Sequence, residues 1–200
     1  MRIQNCNSFE EQMITNRHRD ALRWIDDAAQ KIISWRAHAS ITGTLSPQPA
    51  QSLLQTIRSV ILSNFKTDAP ADVDAISANF VQLANAMRRH GNLVYIKCEI
   101  TMCLPDELMY VHRQARAISF GADEVFVCPI WFGRSALRQI STVIHERAHQ
   151  SLRVADRAYE HRHQYTTMTS TDAMNNAESY AVAARQIFHN GNHGPGQIPD

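Results

Sequence analysis

The sequence predicts an α+β domain that is mainly helical, with several helices packed on a small β-sheet. Apolar residues recur every three or four positions through most of the first 90 residues, which is the period of amphipathic helices. Two short runs of β-forming residues follow, and the helical period then returns. A chain of 200 residues suits one core. We therefore expect a single domain over residues 1–200, with a helical part at 1–90, a part containing the sheet and the candidate site at 91–190, and a flexible tail at 191–200.

Three helical segments are predicted in the first part. From Ser8 to about His38 the pattern fits one long helix or two short ones, with apolar positions at Phe9, Met13, Leu22, Ile25, Ala29, Ile32, Ile33 and Trp35. The stretch ITGTLSPQP separates this segment from a second helix that includes Leu53–Phe65. Gly91 is placed to cap a third helix. The inward positions of that helix are Val73, Ile76, Phe80, Leu83, Ala84 and Met87.

The second part begins with strands and returns to helices. Residues between Leu93 and Ile100 and the run Val125–Val127 are predicted as two strands of a small sheet, and the segment between them gives no clear pattern. A helix is expected from about Ser135 to Leu152, seated on the core by Ile140, Val143, Ile144 and Ala148. A final helix is expected over Thr171–His189.

Composition and charge exclude several classes of protein. A formal net charge of +1 argues against a nucleic-acid binder. No run approaches the roughly 20 apolar residues of a membrane span, and MRIQNCNSFEEQM lacks the apolar core of a signal peptide. Export or delivery would therefore use another route, and a cytoplasmic location stays open. The four cysteines form no CxxC pair, which leaves one or two disulfides and buried free thiols as alternatives.

The predicted helix after Ser135 carries the motif HExxH at His145, Glu146 and His149. Residues four apart share one helix face, so the two imidazoles can offer nitrogen atoms to one metal ion, and Zn²⁺ is the expected ion. Glu146 lies beside them, at the edge of the site, where a carboxylate can take a proton from water and pass it to a leaving amine. The alternative is a surface helix that carries two histidines without a metal.

A catalytic zinc ion needs a third protein ligand, and two carboxylates are candidates. The pattern HExxHxxGxxH is excluded, because Leu152 and Ala155 occupy the positions of its glycine and third histidine. Asp156, in the turn after the predicted helix, is one candidate. Glu178, on the last helix, is the second candidate, although a hydrogen bond to a ligand histidine is the role it fits better.

Three landmarks in order along the chain resemble the aspzincin metallopeptidases, the family of deuterolysin and peptidyl-Lys endopeptidase. The segment VFVCPIWF precedes the HExxH helix, Asp156 and Tyr159 repeat the DxxY spacing of the family's GTxDxxYG element, and residues 176–180 resemble its Asn-Ala-Asp-Ser-Tyr element. The likeness covers about Val125–Phe188. The chain departs from it where Val154 and Ala155 replace Gly-Thr and Glu160 replaces the last glycine.

The resemblance implies a zincin-like fold and a zinc-dependent metallopeptidase. It implies that His145, His149 and Asp156 bind zinc, that Glu146 is the general base, and that the Tyr159 hydroxyl stabilises the oxyanion. The expected partner is then a protein or peptide substrate. An alternative substrate is peptidoglycan, because similar zincin domains are attached to bacterial secretion spikes as toxic effectors, which also implies a delivery or immunity partner. A helical binding module without catalysis is the third hypothesis.

Other residues near the motif have weaker assignments. His161 and His163 flank Arg162 in a polar stretch that is expected to be a solvated loop, and they are minor candidates for the third ligand. Asp123 and Glu124 fit a turn before the second strand better than a pocket for a basic side chain. In VFVCPIWF, Trp131 and Phe132 are expected in the core.

Overall fold

The computed structural model describes residues 1–40, 48–89, 93–98, 103, 107–110 and 123–193. Gly91, the predicted cap of the third helix, and most of the predicted tail lie outside these ranges. The helices are α1 (Ser8–Ser40), α2 (Gln48–Phe65), α3 (Pro70–Arg88), α4 (Ala136–Leu152), α5 (His163–Thr167), α6 (Ser170–Met174) and α7 (Ala177–Phe188), with a 3₁₀ helix at Pro129–Gly133.

The sheet has four described strands where the sequence predicted two. They are β1 (Arg2–Gln4), β2 (Leu93–Lys97), β3 (Met109–Tyr110) and β4 (Asp123–Val127), in the order β1-β2-β4-β3. β1 and β4 run parallel to β2, whereas β3 is antiparallel to β4, so the sheet is mixed. The two unpredicted strands have only three and two residues, which is too short for an alternating pattern to appear.

The helices of the first part pack as their periodicity predicts, with three exceptions. α1 is one continuous helix, and it packs on α3, α4 and α7. Phe9 and Ile33, predicted as apolar positions of that helix, are 72% and 49% exposed, and Leu53 of α2 is 37% exposed. The inward positions predicted for α3 are confirmed in full, since all six are buried. α1 thereby joins the first part of the chain to the helices of the second.

Two helices, α4 and α7, hold the candidate site. Ser135 caps the start of α4 by accepting a hydrogen bond from the backbone N–H of Arg138, and Arg153, directly after the helix, has the left-handed conformation with φ of 58°. Ile140, Val143, Ile144 and Ala148 are buried as predicted. The prediction of one final helix over Thr171–His189 was wrong, because the helical pattern breaks between α6 and α7.

The four cysteines divide between the two predicted alternatives. Cys103 and Cys128 form a disulfide, whereas Cys6 and Cys98 are free thiols. The backbone N–H of Cys128 donates to the carbonyl of Leu108 over 3.0 Å, so the disulfide lies beside the segment that leads into β3. In the described parts of the chain, no helix is long and apolar enough to cross a membrane.

Candidate metal centre and active-site cleft

The HExxH residues lie on the buried middle of α4. His145, Glu146 and His149 are each 6% exposed, and each offers a ligand atom within 4.8 Å of the others. The alternative placed the motif on a surface helix, and the burial of these residues contradicts that placement. Glu146 is more deeply enclosed than its predicted position at the edge of the site implies.

Three atoms form a nearly equilateral triangle in front of this helix. Nε2 of His145 and Nε2 of His149 are 3.1 Å apart, and Oδ1 of Asp156 lies 2.9 Å from the first and 3.0 Å from the second. Ligand atoms bound to tetrahedral zinc at about 2.0–2.2 Å would be about 3.3–3.5 Å apart. The triangle has the shape of three zinc ligands, with distances between the atoms that are a few tenths of an ångström shorter.

The second nitrogen of each histidine ring has its own acceptor. Nδ1 of His145 lies 2.9 Å from Oε2 of Glu178, and Nδ1 of His149 lies 2.8 Å from the carbonyl of Val154. When each Nδ1 carries the donated proton, each neutral imidazole presents the lone pair of Nε2 to the triangle. The carboxylate of Asp156 then makes three electron-pair donors facing one point. Such an arrangement requires a cation between them, either a proton or a metal ion.

Burial and charge shift the pKa values of these groups in opposite directions. Burial alone lowers the pKa of His145, but hydrogen bonds to Asp156 and Glu178 outweigh it and raise that pKa to about 10. Burial opposes the ionised form of Asp156, yet hydrogen bonds from His145 and His149 hold its pKa well below the usual range. Burial also opposes the ionised form of Glu178, but the hydrogen bond from His145 outweighs burial and lowers the pKa of Glu178. The carboxylates on the two sides of His145 therefore favour positive charge at this site.

Glu146 differs from the other carboxylates because no hydrogen bond from a described residue holds its charge. Burial raises its pKa to about 7, against the opposing effect of the two histidines. The carboxylates of Asp156 and Glu107 add to the rise. A carboxyl group with a pKa near neutrality is suited to both accept and return a proton.

Asn176 holds the loop that carries Asp156. Its Oδ1 accepts from the backbone N–H groups of Arg157 at 2.9 Å and Ala158 at 3.4 Å, and its Nδ2 donates to the carbonyl of Ala158 at 2.9 Å. Ala155 forms an isolated parallel bridge with Asn176. Asn176 is fully buried and stands at the break between α6 and α7. The break between α6 and α7 thus places Asn176 where it can hold the loop of Asp156. A continuous helix would not allow these hydrogen bonds.

Tyr159 covers the site from the solvent side. The residue is 42% exposed, and its ring stacks on the ring of His145 with centroids 5.7 Å apart and an interplanar angle of 8°. His161 stacks in turn on Tyr159 at 6.0 Å. His163 begins α5 as an exposed residue, and the predicted solvated loop is wrong in part, since Tyr165 of this helix is buried.

The site opens into a cleft of about 610 Å³. One wall is α4, a second is the loop around Tyr159 with part of α7, and a third is the segment Glu107–Tyr110 that includes β3. Glu107 and β3 were missed by sequence reasoning, because no local pattern connects them with the motif. Among the described residues β3 is the last strand of the sheet, so it places a strand edge at the cleft.

A buried ion pair lies in the cleft behind Tyr159. Nη1 and Nη2 of Arg185 donate to the two carboxylate oxygens of Glu160 over 3.2 and 2.6 Å, and the side chains are 1% and 3% exposed. Glu160 stands where the resembled family has glycine. The sequence alone gave no sign of its partner, which lies 25 residues away on α7.

The remaining predicted residues lie elsewhere. Glu124 belongs to β4, which begins at Asp123, so the predicted turn before the strand is wrong. The backbone carbonyl of Glu124 accepts from Gln150 of α4 over 2.8 Å. Trp131 is fully buried in the core as predicted, and Phe132 packs partly buried against it.

Comparison with known proteins supports the fold. No protein-family model and no curated protein matches the sequence. The structure is similar to that of a zinc peptidase from Grifola frondosa, with a TM-score of 0.62 and 14% sequence identity. The match covers 90% of this chain and 97% of the Grifola chain. The fold is therefore that of a zinc peptidase, a mainly helical domain with a small mixed sheet.

Proposed function

We propose that this protein is a zinc-dependent peptidase with His145, His149 and Asp156 as the zinc ligands. The observation that carries the proposal is the triangle of Nε2, Nε2 and Oδ1 atoms, each within 3.1 Å of the others. Two nitrogen atoms and one carboxylate oxygen are a donor set that zinc prefers. Glu178 supports the site by accepting from Nδ1 of His145, which fixes the ring and its tautomer.

The metal and Glu146 have separate roles in the proposed hydrolysis. Bound zinc would lower the pKa of water and polarise the scissile carbonyl. Glu146 accepts the proton of the attacking water and later returns it to the leaving amine. Its enclosed carboxyl group suits this exchange, because burial brings its pKa to about 7.

Tyr159 and the sheet edge act on the substrate in the proposal. The Tyr159 hydroxyl donates a hydrogen bond to the oxyanion, since its ring lies over His145 at the mouth of the site. β3 offers backbone groups along one wall of the cleft, and an extended peptide can add to a strand edge by main-chain hydrogen bonds. Protein and peptide are accordingly the first substrates to test.

The test compares zinc content and peptide hydrolysis for the wild type and Glu146→Gln. We expect one zinc per chain in both proteins and a loss of cleavage of about 10²–10⁴-fold in the variant. Glu11→Gln on α1 is the matched control, because it neutralises an exposed carboxylate that does not line the cleft. Bound zinc without Glu146-dependent cleavage of casein, a peptide library or peptidoglycan would contradict a peptidase and favour the binding module.

The peptidoglycan arm of this test also addresses the alternative function. A peptidoglycan amidase or endopeptidase delivered as an effector toxin would use the same residues, so the substrate alone separates it from a general peptidase. Delivery, an immunity partner and the location of the protein remain predictions from the resemblance.

A further inference from the structure

The cleft continues along α4 beyond the two histidines and reaches Arg138. This residue lies seven positions before His145, which places it on the same helix face and about 10 Å closer to the start of α4. Arg138, Thr142 and His145 all line the cleft. The side chain of Arg138 is 33% exposed, so a ligand in the cleft can reach its guanidinium group.

The carboxylates near Arg138 are engaged by other residues. Glu160 receives two hydrogen bonds from Arg185, and its Oε1 stays 3.9 Å from Nη1 of Arg138, beyond hydrogen-bond distance. Glu178 is held by Nδ1 of His145. Within the described ranges Arg138 makes no side-chain hydrogen bond. Its donors are therefore available to an incoming anion, although the nearby acids moderate its charge.

Ser141 adds a second polar group one helical turn from Arg138. It lines the same cleft, is 7% exposed, and its hydroxyl has no hydrogen-bond partner among the residues that the structure describes. A buried hydroxyl without a partner is uncommon and costs free energy. A ligand in this cleft could supply the acceptor that the hydroxyl lacks.

We propose that Arg138, assisted by Ser141, binds a carboxylate of the substrate. A guanidinium group matches a carboxylate because it can donate two parallel hydrogen bonds to its two oxygens. The distance of about 10 Å from His145 corresponds to roughly three residues of extended peptide. The substrate is thus a peptide with an acidic side chain, or a free terminal carboxylate, within about three residues of the scissile bond. This inference rests on the proposed peptidase function.

The experiment measures kcat/KM for a neutral peptide and for versions with a single Glu or Gln at each of three positions on either side of the cleaved bond. The wild type is expected to prefer Glu over Gln at one position by about 10- to 100-fold. The preference should fall to near unity in Arg138→Gln and be partly restored in Arg138→Lys. A further pair of peptides with free and amidated carboxyl termini separates a side-chain carboxylate from a terminal one.

Two control variants keep the assignment specific. Arg58→Gln on α2, which pairs with Asp68 outside the cleft, should leave the Glu/Gln ratio unchanged. Arg162→Gln removes the exposed arginine at the cleft rim. If the preference disappears in Arg162→Gln and persists in Arg138→Gln, the proposal is overturned. Equal rates for Glu and Gln peptides overturn it as well.

Binding to the zinc-loaded Glu146→Gln protein separates this proposal from the proposed function. Fluorescence anisotropy with the same labelled Glu and Gln peptides reports the carboxylate site without any hydrolysis. A Glu preference that depends on Arg138, with no cleavage of any peptide by the wild type, would refute the peptidase and keep the carboxylate site. Cleavage of neutral peptides with no Glu preference in rate or binding would refute the carboxylate site alone.

Discussion

Glu178 and His145 are joined by a hydrogen bond of 2.9 Å between Oε2 and Nδ1, on the opposite side of the imidazole from Asp156. The two carboxylates considered as third ligand therefore contact different nitrogen atoms of one ring. Asp156 Oδ1 also lies 3.0 Å from Nε2 of His149, whereas Glu178 accepts hydrogen bonds from His145 and from the backbone N–H of Glu160. The geometry favours Asp156 as a ligand and Glu178 as the residue that orients His145.

Different effects on zinc binding are expected when these carboxylates are changed. Asp156→Ala should abolish stoichiometric zinc binding, because it removes one of three protein ligands. Glu178→Gln should retain zinc with an affinity about 10- to 100-fold lower, the usual effect of a residue that orients a ligand histidine. Metal analysis after dialysis and titration against a chromophoric chelator measure both. Zinc lost only in the Glu178 variant would reverse the assignment.

Zinc affinity should rise with pH. The pKa of His145 is raised from 6.5 to about 10 in the metal-free protein, so its charged form contributes stability that is complete below the unfolded pKa and lost as pH rises through about 10. Zinc must displace this proton. The association constant is thus expected to increase about tenfold per pH unit between pH of about 7 and 9.

Chelator competition at several pH values measures this dependence. Asp156 does not contribute to it, since hydrogen bonds from the histidines keep its pKa far below this window. His163→Gln, a change at an exposed histidine outside the triangle, should keep the same slope. An affinity independent of pH would show that no proton occupies the metal-free site.

Replacing Tyr159 by Phe should lower kcat by about 10²–10³-fold, the usual effect of losing one oxyanion donor. Zinc content should not change, because the ring that stacks on His145 is kept. Tyr165→Phe is the matched control. It removes a buried hydrogen bond to Asn64 and should lower stability while leaving kcat near the wild-type value. An unchanged kcat in Tyr159→Phe would assign Tyr159 to packing.

The features that the sequence predicted are those encoded by local period. The six inward positions of α3 and the shared face of His145 and His149 follow from residues three or four apart, so no tertiary information was needed. The short strands β1 and β3 were missed because two or three residues carry no period. Their formation depends on pairing with distant strands, as in the contact of Met109 with Val127.

The roles of Glu160 and Asn176 were not predicted, because they depend on contacts across the fold. Glu160 and Arg185 are 25 residues apart, and either one alone would be read as an ordinary surface charge. Asn176 interrupts an otherwise helical pattern. Its side chain is held by a hydrogen bond to the carbonyl of Ala158, 18 residues earlier in the chain. Such interactions become visible only when the two segments are placed together.

Asn176→Ala should lower both stability and zinc affinity. The side chain makes hydrogen bonds to the backbone of Arg157 and Ala158, so its loss leaves buried groups without partners, at about 1–3 kcal/mol for each such group. The loop that places Asp156 then loses its support. Zinc affinity is expected to fall about 10-fold or more, as for other residues that position ligands.

Asn64→Ala provides the matched comparison for this effect. Asn64 is also fully buried and hydrogen-bonded, to Gln186, Tyr165 and the carbonyl of Val60, but it lies outside the metal site. Its loss should lower the free energy of unfolding by a similar amount and leave zinc affinity unchanged. Calorimetric unfolding with and without zinc, combined with chelator titration, measures both quantities. If the two variants lose stability equally and both keep wild-type zinc affinity, Asn176 supports the fold and has no part in positioning Asp156.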